Sequence, residues 1–342
     1  MDFLKINGAF GEGGGQIVRT AITLSCITKK PIILENIREN RERPGLKPQH
    51  LTAIRILQKI CNAKIDGAKI GSTSFRFVPD AVNDTSLKED VGTAGSISLI
   101  LQVLIPVSAV CQKKLELSIR GGTDVLWSPT MDYTQHVLRE AYSRMGINFS
   151  MKLLKRGYYP KGNGEVKIQV YPSKVKPISL TEQKTKNLKL FCSFSRLSPE
   201  IIHEKIERIK SKLIDEKFTV ESIIKKEDAV DSGSSILITH VDDSSIIGID
   251  CIYDKKTNEF NLDLSGIIEN NMGVDENLAD MLVLPASLSD SMTVFRVPKI
   301  SKHLETNLFV TSKITGCRYG VGKLQNGYEV RIEGISNSSI QQ

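Results

Sequence analysis

Two textures alternate along the first hundred residues: short apolar runs, and longer stripes of apolar positions at helical spacing. The run at residues 4–6 predicts a strand. Ile17, Val18, Ala21, Ile22 and Leu24 predict a broad helical face, and a glycine-rich turn separates the two. The same element recurs. A turn at 92–96 leads into an apolar stretch over 97–110 and then a strand at 115–119. A third, degenerate copy begins near Gly273, with a helix at 277–284 and a strand at 292–297. The first two copies start about eighty residues apart and the last two are separated by over twice that, which predicts a second domain interrupting the series.

The interruption can be placed. Residues 173–186 form a polar, lysine-rich stretch of linker composition. Beyond it, Ser198-Pro199-Glu200 opens a helix with Ile201, Ile202, Ile206, Ile209 and Leu213 on one face, and strands follow at 219–224, 236–240 and 246–253. The expected organisation is a repeat domain of 1–182 plus 274–342 and an inserted domain of 183–273. Strands alternating with helices make the fold class α/β, with repeated βαβ-type units and a smaller α/β insert. Residues 336–342 read as a frayed tail.

A chain of 342 residues is long for one domain and long enough for two real cores. With 40% hydrophobic and 25% charged residues it has the composition of a soluble globular protein. The net charge of +7 is a modest lean toward an anionic partner. The six cysteines lie far apart with no CxxC pair, which argues against structural zinc or a disulfide framework and for reduced thiols in a cytosol. The N-terminus lacks a signal-peptide pattern. The apolar run at 97–110 is too short for a bilayer and holds Gln102 and Pro106. The expected location is cytoplasmic, without a membrane partner.

The turn Gly11-Glu12-Gly13-Gly14-Gly15-Gln16 is neither a P-loop, because no Gly-Lys-Ser/Thr follows, nor a dinucleotide fingerprint, because Gln16 holds the sixth position. Two readings stay open: a strained strand-to-helix turn, or backbone N–H groups aimed at an anion. Glu12 is either a carboxylate at a helix start, favoured there by the dipole, or a metal ligand beside phosphate oxygens. The loop that carries Arg38, Arg41, Arg43 and Lys47 has the alternating charge of a solvated surface. Pro44, Gly45 and Pro48 stiffen it, however, and His50 falls in the first turn of the next helix, where an anion would sit. Gln102 is a satisfied core amide, an exposed edge residue or a ligand contact. His136, His203 and His240 read as surface or structural. His303 differs, following a loop and preceding an amphipathic helix or strand over 304–310, with no Gly-x-Ser-x-Gly or HExxH motif beside it.

Taken together, the motifs resemble those of the RNA 3′-terminal phosphate cyclases. Gly11-Glu12-Gly13-Gly14-Gly15-Gln16-Ile17-Val18-Arg19 is similar to that family's opening signature, and Arg38-x-x-Arg41-x-x-Pro44-Gly45-Leu46-x-x-Gln49-His50 to the segment that follows. Gly92-Thr93-Ala94-Gly95-Ser96, Leu101-Gln102, Gly121-Gly122-Thr123-Asp124 and Gly157-Tyr158-Tyr159-Pro160-Lys161-Gly162-Asn163-Gly164 match as well. The resemblance implies repeats as in the enolpyruvyl transferases, with a small inserted domain.

It also implies a reaction, in which ATP adenylates a histidine, AMP passes to an RNA 3′-phosphate, and the 2′-hydroxyl closes a 2′,3′-cyclic phosphate. The matching histidine is His303, in Lys302-His303-Leu304-x-Thr306-Asn307. By the same resemblance Glu12 carries Mg²⁺ or Mn²⁺. Gln102, Asn277, Leu278, Ala279, Asp280 and Met281 line the ATP site with Glu12, and Arg19, Arg38, Arg41, Gln49 and His50 hold the RNA phosphate, with the ATP tail as the alternative partner of Arg19, Arg38, Arg41 and His50. Met281 departs from the glutamine common in the family, and Trp127-Ser128-Pro129-Thr130 lacks a second proline usual there. Two other readings stand beside the cyclase. One is a non-catalytic RNA-binding ribosome-assembly relative, and the other is a small-molecule transferase of the enolpyruvyl type.

Overall fold

Each apolar helical stripe has a strand on either side of it, and a crossover through a helix is what lets two neighbouring strands run parallel. The computed structural model, which describes residues 2–335 except Asn270, builds three sheets on that rule. Residues 336–342, expected to fray, lie outside the described set.

The first unit has strands Leu4–Asn7, Ile32–Glu35, Lys64–Asp66 and Phe75–Val78, with helices Gly15–Thr28 and Pro48–Cys61. Its sheet order is first, second, fourth, third; the first two strands are parallel and the other pairs antiparallel. The second unit repeats this with strands Thr85–Asp90, Leu115–Gly121, Phe149–Lys155 and Gly164–Val170, around the helix Ile97–Val110 and a helical stretch over 131–144 that widens to a π-turn at Thr134–Leu138. The third unit has strands Ser179–Leu180, Met292–Val297, Arg318–Leu324 and Gly327–Glu333, with helices Glu276–Ser287 and Lys302–Thr315 in the same topology.

Two expectations change. The repeat is a full βαβαββ unit, so the segments from Pro48, Met131 and Lys302 are equivalent second helices. The third copy also starts earlier than Gly273. Its first strand is Ser179–Leu180, inside the stretch read as linker, and pairs in parallel with Val294 and Phe295. Two residues carry no periodicity, although Leu180 is fully buried.

Between Leu180 and Glu276 the chain forms a five-stranded sheet from Asn187–Ser195, Thr219–Lys226, Gly233–Asp242, Ser245–Asp254 and Glu259–Phe260, covered by the helix Pro199–Asp215. It encloses its own apolar cluster, including Leu190, Ile202, Ile206, Leu213 and Ile236. Ile201 is not on the buried face; it is 47% exposed. The stripe runs through 202, 206, 209 and 213, at alternating steps of four and three, and 201 falls one position outside it.

The main core lies among the helices. Gly15–Thr28 is buried around most of its circumference, as expected of a helix packed on several sides. It packs against Ile97–Val110 of the second unit and Lys302–Thr315 of the third, and the latter packs on Glu276–Ser287. The N-terminal glycine turn and the helix beginning at Lys302 are thereby brought together. Among the described residues no helix is long and apolar enough to cross a membrane.

Candidate active site

The glycine turn is shaped by what approaches it. Gly11 and Gly13 have φ of 59° and 60°, in the left-handed region, and a Cβ on Gly11 would stand 2.2 Å from Thr306 Oγ1. A Cβ on Gly15 would stand 2.4 Å from His50 Nε2. These glycines let the turn sit between the starts of two helices. Gly14 caps the Gly15–Thr28 helix without a side-chain hydrogen bond, and no acidic residue lies in its first turn, so Glu12 is not the cap. The Glu12 backbone N–H donates to Thr306 Oγ1 at 3.1 Å.

The Glu12 carboxylate lies against the guanidinium of Arg41 and 3.8 Å from His303 Nδ1. His303 sits in the first turn of a helix, resolving the helix-or-strand alternative. Its imidazole is half exposed, and its pKa is lowered from 6.5 by burial and by the charges of Arg19 and Arg41. The ring is therefore neutral near pH 7.

His50 is buried. Its Nδ1 accepts the Lys47 backbone N–H at 3.1 Å, so its proton resides on Nε2, facing the glycine turn. Burial and the charges of Arg19, Arg38 and Lys47 push its pKa down to about 3. It acts here as a fixed neutral donor. Arg19 is drawn down to about 10, by burial first, with Asp280 opposing the shift.

Three buried polar atoms here have no hydrogen-bond partner among the described residues: Glu12 Oε2, Arg19 Nε and His50 Nε2. Buried polar groups are normally satisfied, so a cluster of orphans marks a place for a polar ligand.

Other expected residues are placed differently. Arg38 has a φ of 55° and donates to the Arg43 and Gly45 carbonyls, stiffening its own loop. Gln49 Oε1 accepts the Ser96 N–H at 3.1 Å, joining the first unit to the glycine turn of the second. Leu278 and Ala279 are fully buried and belong to the core, so their side chains do not face a pocket. Asn277 is exposed at the start of its helix. Gln102 Nε2 lies 3.5 Å from Met281 Sδ, a weak acceptor.

Asp280 accepts from Asn307 Nδ2 at 2.6 Å, and burial raises its pKa to about 7. Asn307 Oδ1 accepts in turn from Thr20, which takes a hydrogen bond from Gln16, whose Oε1 holds Arg19. This chain of polar side chains links the Glu276–Ser287 helix to the glycine-turn helix. Of the other histidines, His240 is fully buried between Asn187 O and Asp242, His136 stacks on Phe191, and His203 bonds the Pro199 carbonyl.

A family model described as RNA 3′-terminal phosphate cyclase matches residues 10–321. The chain belongs to that family. A protein of Methanosarcina barkeri named RNA 3′-terminal phosphate cyclase is 34% identical over 331 residues, covering 96% of this chain and 99% of its own. One of the same name from Pyrococcus furiosus is 36% identical over 337 residues, covering 96% and 98%. EPSP synthase from Acinetobacter baumannii aligns at 11% identity over 98% of this chain and 66% of its own, with a TM-score of 0.29; the repeated-unit architecture rests on the sheet topology above.

The stretch matched to the cyclase family includes every residue named at the site. Thr20, Thr306 and Asn307 support that site and were not singled out for it from sequence. Thr306 and Asn307 lie three and four residues after His303, the spacing that shares a helix face, and this was the available signal.

Proposed function

We propose that this chain is an ATP-dependent RNA 3′-phosphate cyclase in which His303 is the nucleophile. One observation carries the reading: His303, a neutral imidazole, stands 3.8 Å from the Glu12 carboxylate beside a basic cluster with orphaned buried donors. A non-catalytic RNA-binding protein has no use for that constellation.

In the first step a His303 ring nitrogen bonds to the α-phosphorus of ATP while the bond to pyrophosphate breaks, and pyrophosphate leaves. Nδ1 faces Glu12, so Nε2 is the nitrogen on the open side of the ring. An oxygen of the RNA 3′-phosphate then displaces the imidazole from phosphorus, restoring His303 and giving an RNA-adenylate. Attack of the 2′-hydroxyl on the terminal phosphate expels AMP and closes the ring, with the hydroxyl proton passing to solvent or base. Covalent catalysis divides one hard phosphoryl step into easier ones. Arg19, Arg41 and the His50 Nε2–H are fixed donors for the charge that develops.

Glu12 fits a divalent cation. Its Oε2 is buried without a hydrogen bond, and no group of three or more His, Cys, Asp or Glu gathers among the described residues. One protein carboxylate plus phosphate oxygens and water is a common way to hold Mg²⁺, and Mn²⁺ also suits oxygen ligands. Such an ion would neutralise phosphate charge. ATP, Mg²⁺ or Mn²⁺ and an RNA with a 3′-phosphate are the ligands this reading requires, in the cytoplasm.

The test is incubation with α-labelled ATP and a divalent metal, without RNA. The protein should acquire an acid-labile, base-stable label that His303→Ala does not take up. A labelled His303→Ala protein would assign the nucleophile elsewhere, and an unlabelled wild type would favour the RNA-binding alternative.

A further inference from the structure

The three units share one topology but differ in how their solvent-facing sheet surfaces manage charge. On the first sheet Arg76 lies opposite Asp66 in the ladder and 3.8 Å from it. On the third, Arg296 and Arg331 both pair with Glu329, and Arg318 with Glu333. The second sheet also pairs Arg120 with Glu165, but it leaves a block of lysines beside that pair. Its register places Lys88 beside Ser118, Ser118 beside Lys167 and Lys167 beside Lys152, a row of three lysines across all four strands.

All three lysines are exposed, and none has an ion-pair partner among the described residues. Carboxylates on this face are engaged elsewhere: Glu165 pairs with Arg120 at 2.6 Å, Glu116 with Lys114 at 2.7 Å, and Asp90 lies 4.0 Å from Arg120. Like charges directly opposite one another on a sheet are destabilising, so Lys152 facing Lys167 is a cost with no internal return. Ser86 and Ser150 flank the row in the same depression and add neutral donors, and Glu116, which takes a hydrogen bond from Gln169, also lines it.

The row also leads somewhere. Two residues along the strand from Lys88 is Asp90, which with Gly92, Thr93, Arg120 and Lys161 lines a second depression. The turn continues to Ser96, whose N–H is held by Gln49, the neighbour of His50. The surface between the row and the site cluster therefore carries one further lysine unpaired among the described residues, Lys161, beside an Arg120 already held by Glu165 and Asp90.

The geometry points to this face as the track for the RNA strand on the 5′ side of its terminal phosphate, with Lys88, Lys152 and Lys167 on backbone phosphates. The inference rests on the cyclase reading, extending it from the 3′ end to the body of the substrate. Backbone contacts from lysines position a strand without reading its sequence, so the track accepts many RNAs.

Direct binding of a 3′-phosphorylated 20-nucleotide single-stranded RNA, without ATP and across a salt series, tests it. Replacing Lys88, Lys152 and Lys167 by glutamine should weaken the 20-mer on the order of tenfold and lower the salt slope by about 2, near 0.7 for each lost phosphate contact on a single strand. A 3′-phosphorylated trinucleotide, with little strand on the 5′ side of its terminal phosphate, should lose far less, and labelling of the protein by ATP should be unchanged. Ser118→Glu gives a second variant with one change. The new carboxylate should raise the melting temperature by relieving the lysines while weakening the 20-mer. Unchanged affinity and salt slope in both variants would overturn the track, as would equal loss on trinucleotide and 20-mer. A wild type that fails to take up label but binds the 20-mer through these lysines would overturn the cyclase reading and spare the surface.

Discussion

His50 and His303 stand in the first turns of equivalent helices, in the first and third units, and are put to opposite uses by their surroundings. His50 is buried with Nδ1 committed to a backbone N–H, which leaves it one donor and no free lone pair. His303 is half exposed with an open ring edge. Its lowered pKa has a testable sign. On the proposed mechanism attack requires the neutral ring, so the rate of self-adenylation should be flat through pH 7 and fall only below the usual histidine range. Arg41→Gln removes one of the cations that depress the pKa and frees Glu12 to stabilise the protonated ring. The acid limb of single-turnover labelling should then move to higher pH; a limb that stays in place would remove Arg41 from the imidazole's environment. Sequence made His303 visible only through its motif, because its partner Glu12 lies at the other end of the chain. Met281 was legible as a departure, but its approach to Gln102 joins two helices with no shared sequence signal.

At the level of elements, apolar stripes and glycine turns revealed the first helix of every unit, and the second helices were harder to see as repeats. Those helices are amphipathic and polar at their starts, so they resemble one another in position rather than in composition. The start of Glu276–Ser287 shows how much one cap can carry. Asp275 accepts from the N–H groups of Asn277 and Leu278, from the Tyr133 hydroxyl at 2.8 Å and from the Gly248 N–H at 2.8 Å. One carboxylate thus fastens the third unit to the second and to the insert. Loss of an N-cap costs about 1 kcal/mol, and each buried donor left unsatisfied about 1–3 kcal/mol more. Asp275→Ala should therefore lower unfolding free energy by at least about 2 kcal/mol in urea melts. A change near zero would mean that water replaces the carboxylate at all three places.

Across the whole molecule the expected alternation of strands and helices is present, and the main misreading concerned where the third unit begins. A two-residue strand among lysines is set by its tertiary neighbours, here Val294 and Phe295, so no local pattern announces it. The insert is tied back through Arg156, which is buried against Asp124 at 3.1 Å, Asp132 at 2.8 Å and Glu227 at 2.5 Å, with Ser193 at 2.7 Å. Arg156→Met strips the cation from that set and should cost about 3–5 kcal/mol. The loss should be larger at pH 8 than at pH 5, because carboxylates without their cation ionise at a higher pH and are partly relieved by protonation in acid. Equal losses at both pH values would show that the charges escape to solvent.

Because the strand Ser179–Leu180 is separated from its partners by the whole insert, a ribosome releases it long before Met292–Val297 exists to receive it. The Gly15–Thr28 helix waits longer still for Lys302–Thr315. A growing chain therefore carries Glu12 without its imidazole until residue 303 emerges, and on the proposed mechanism a product terminated before that point should hold the basic cluster yet take up no label.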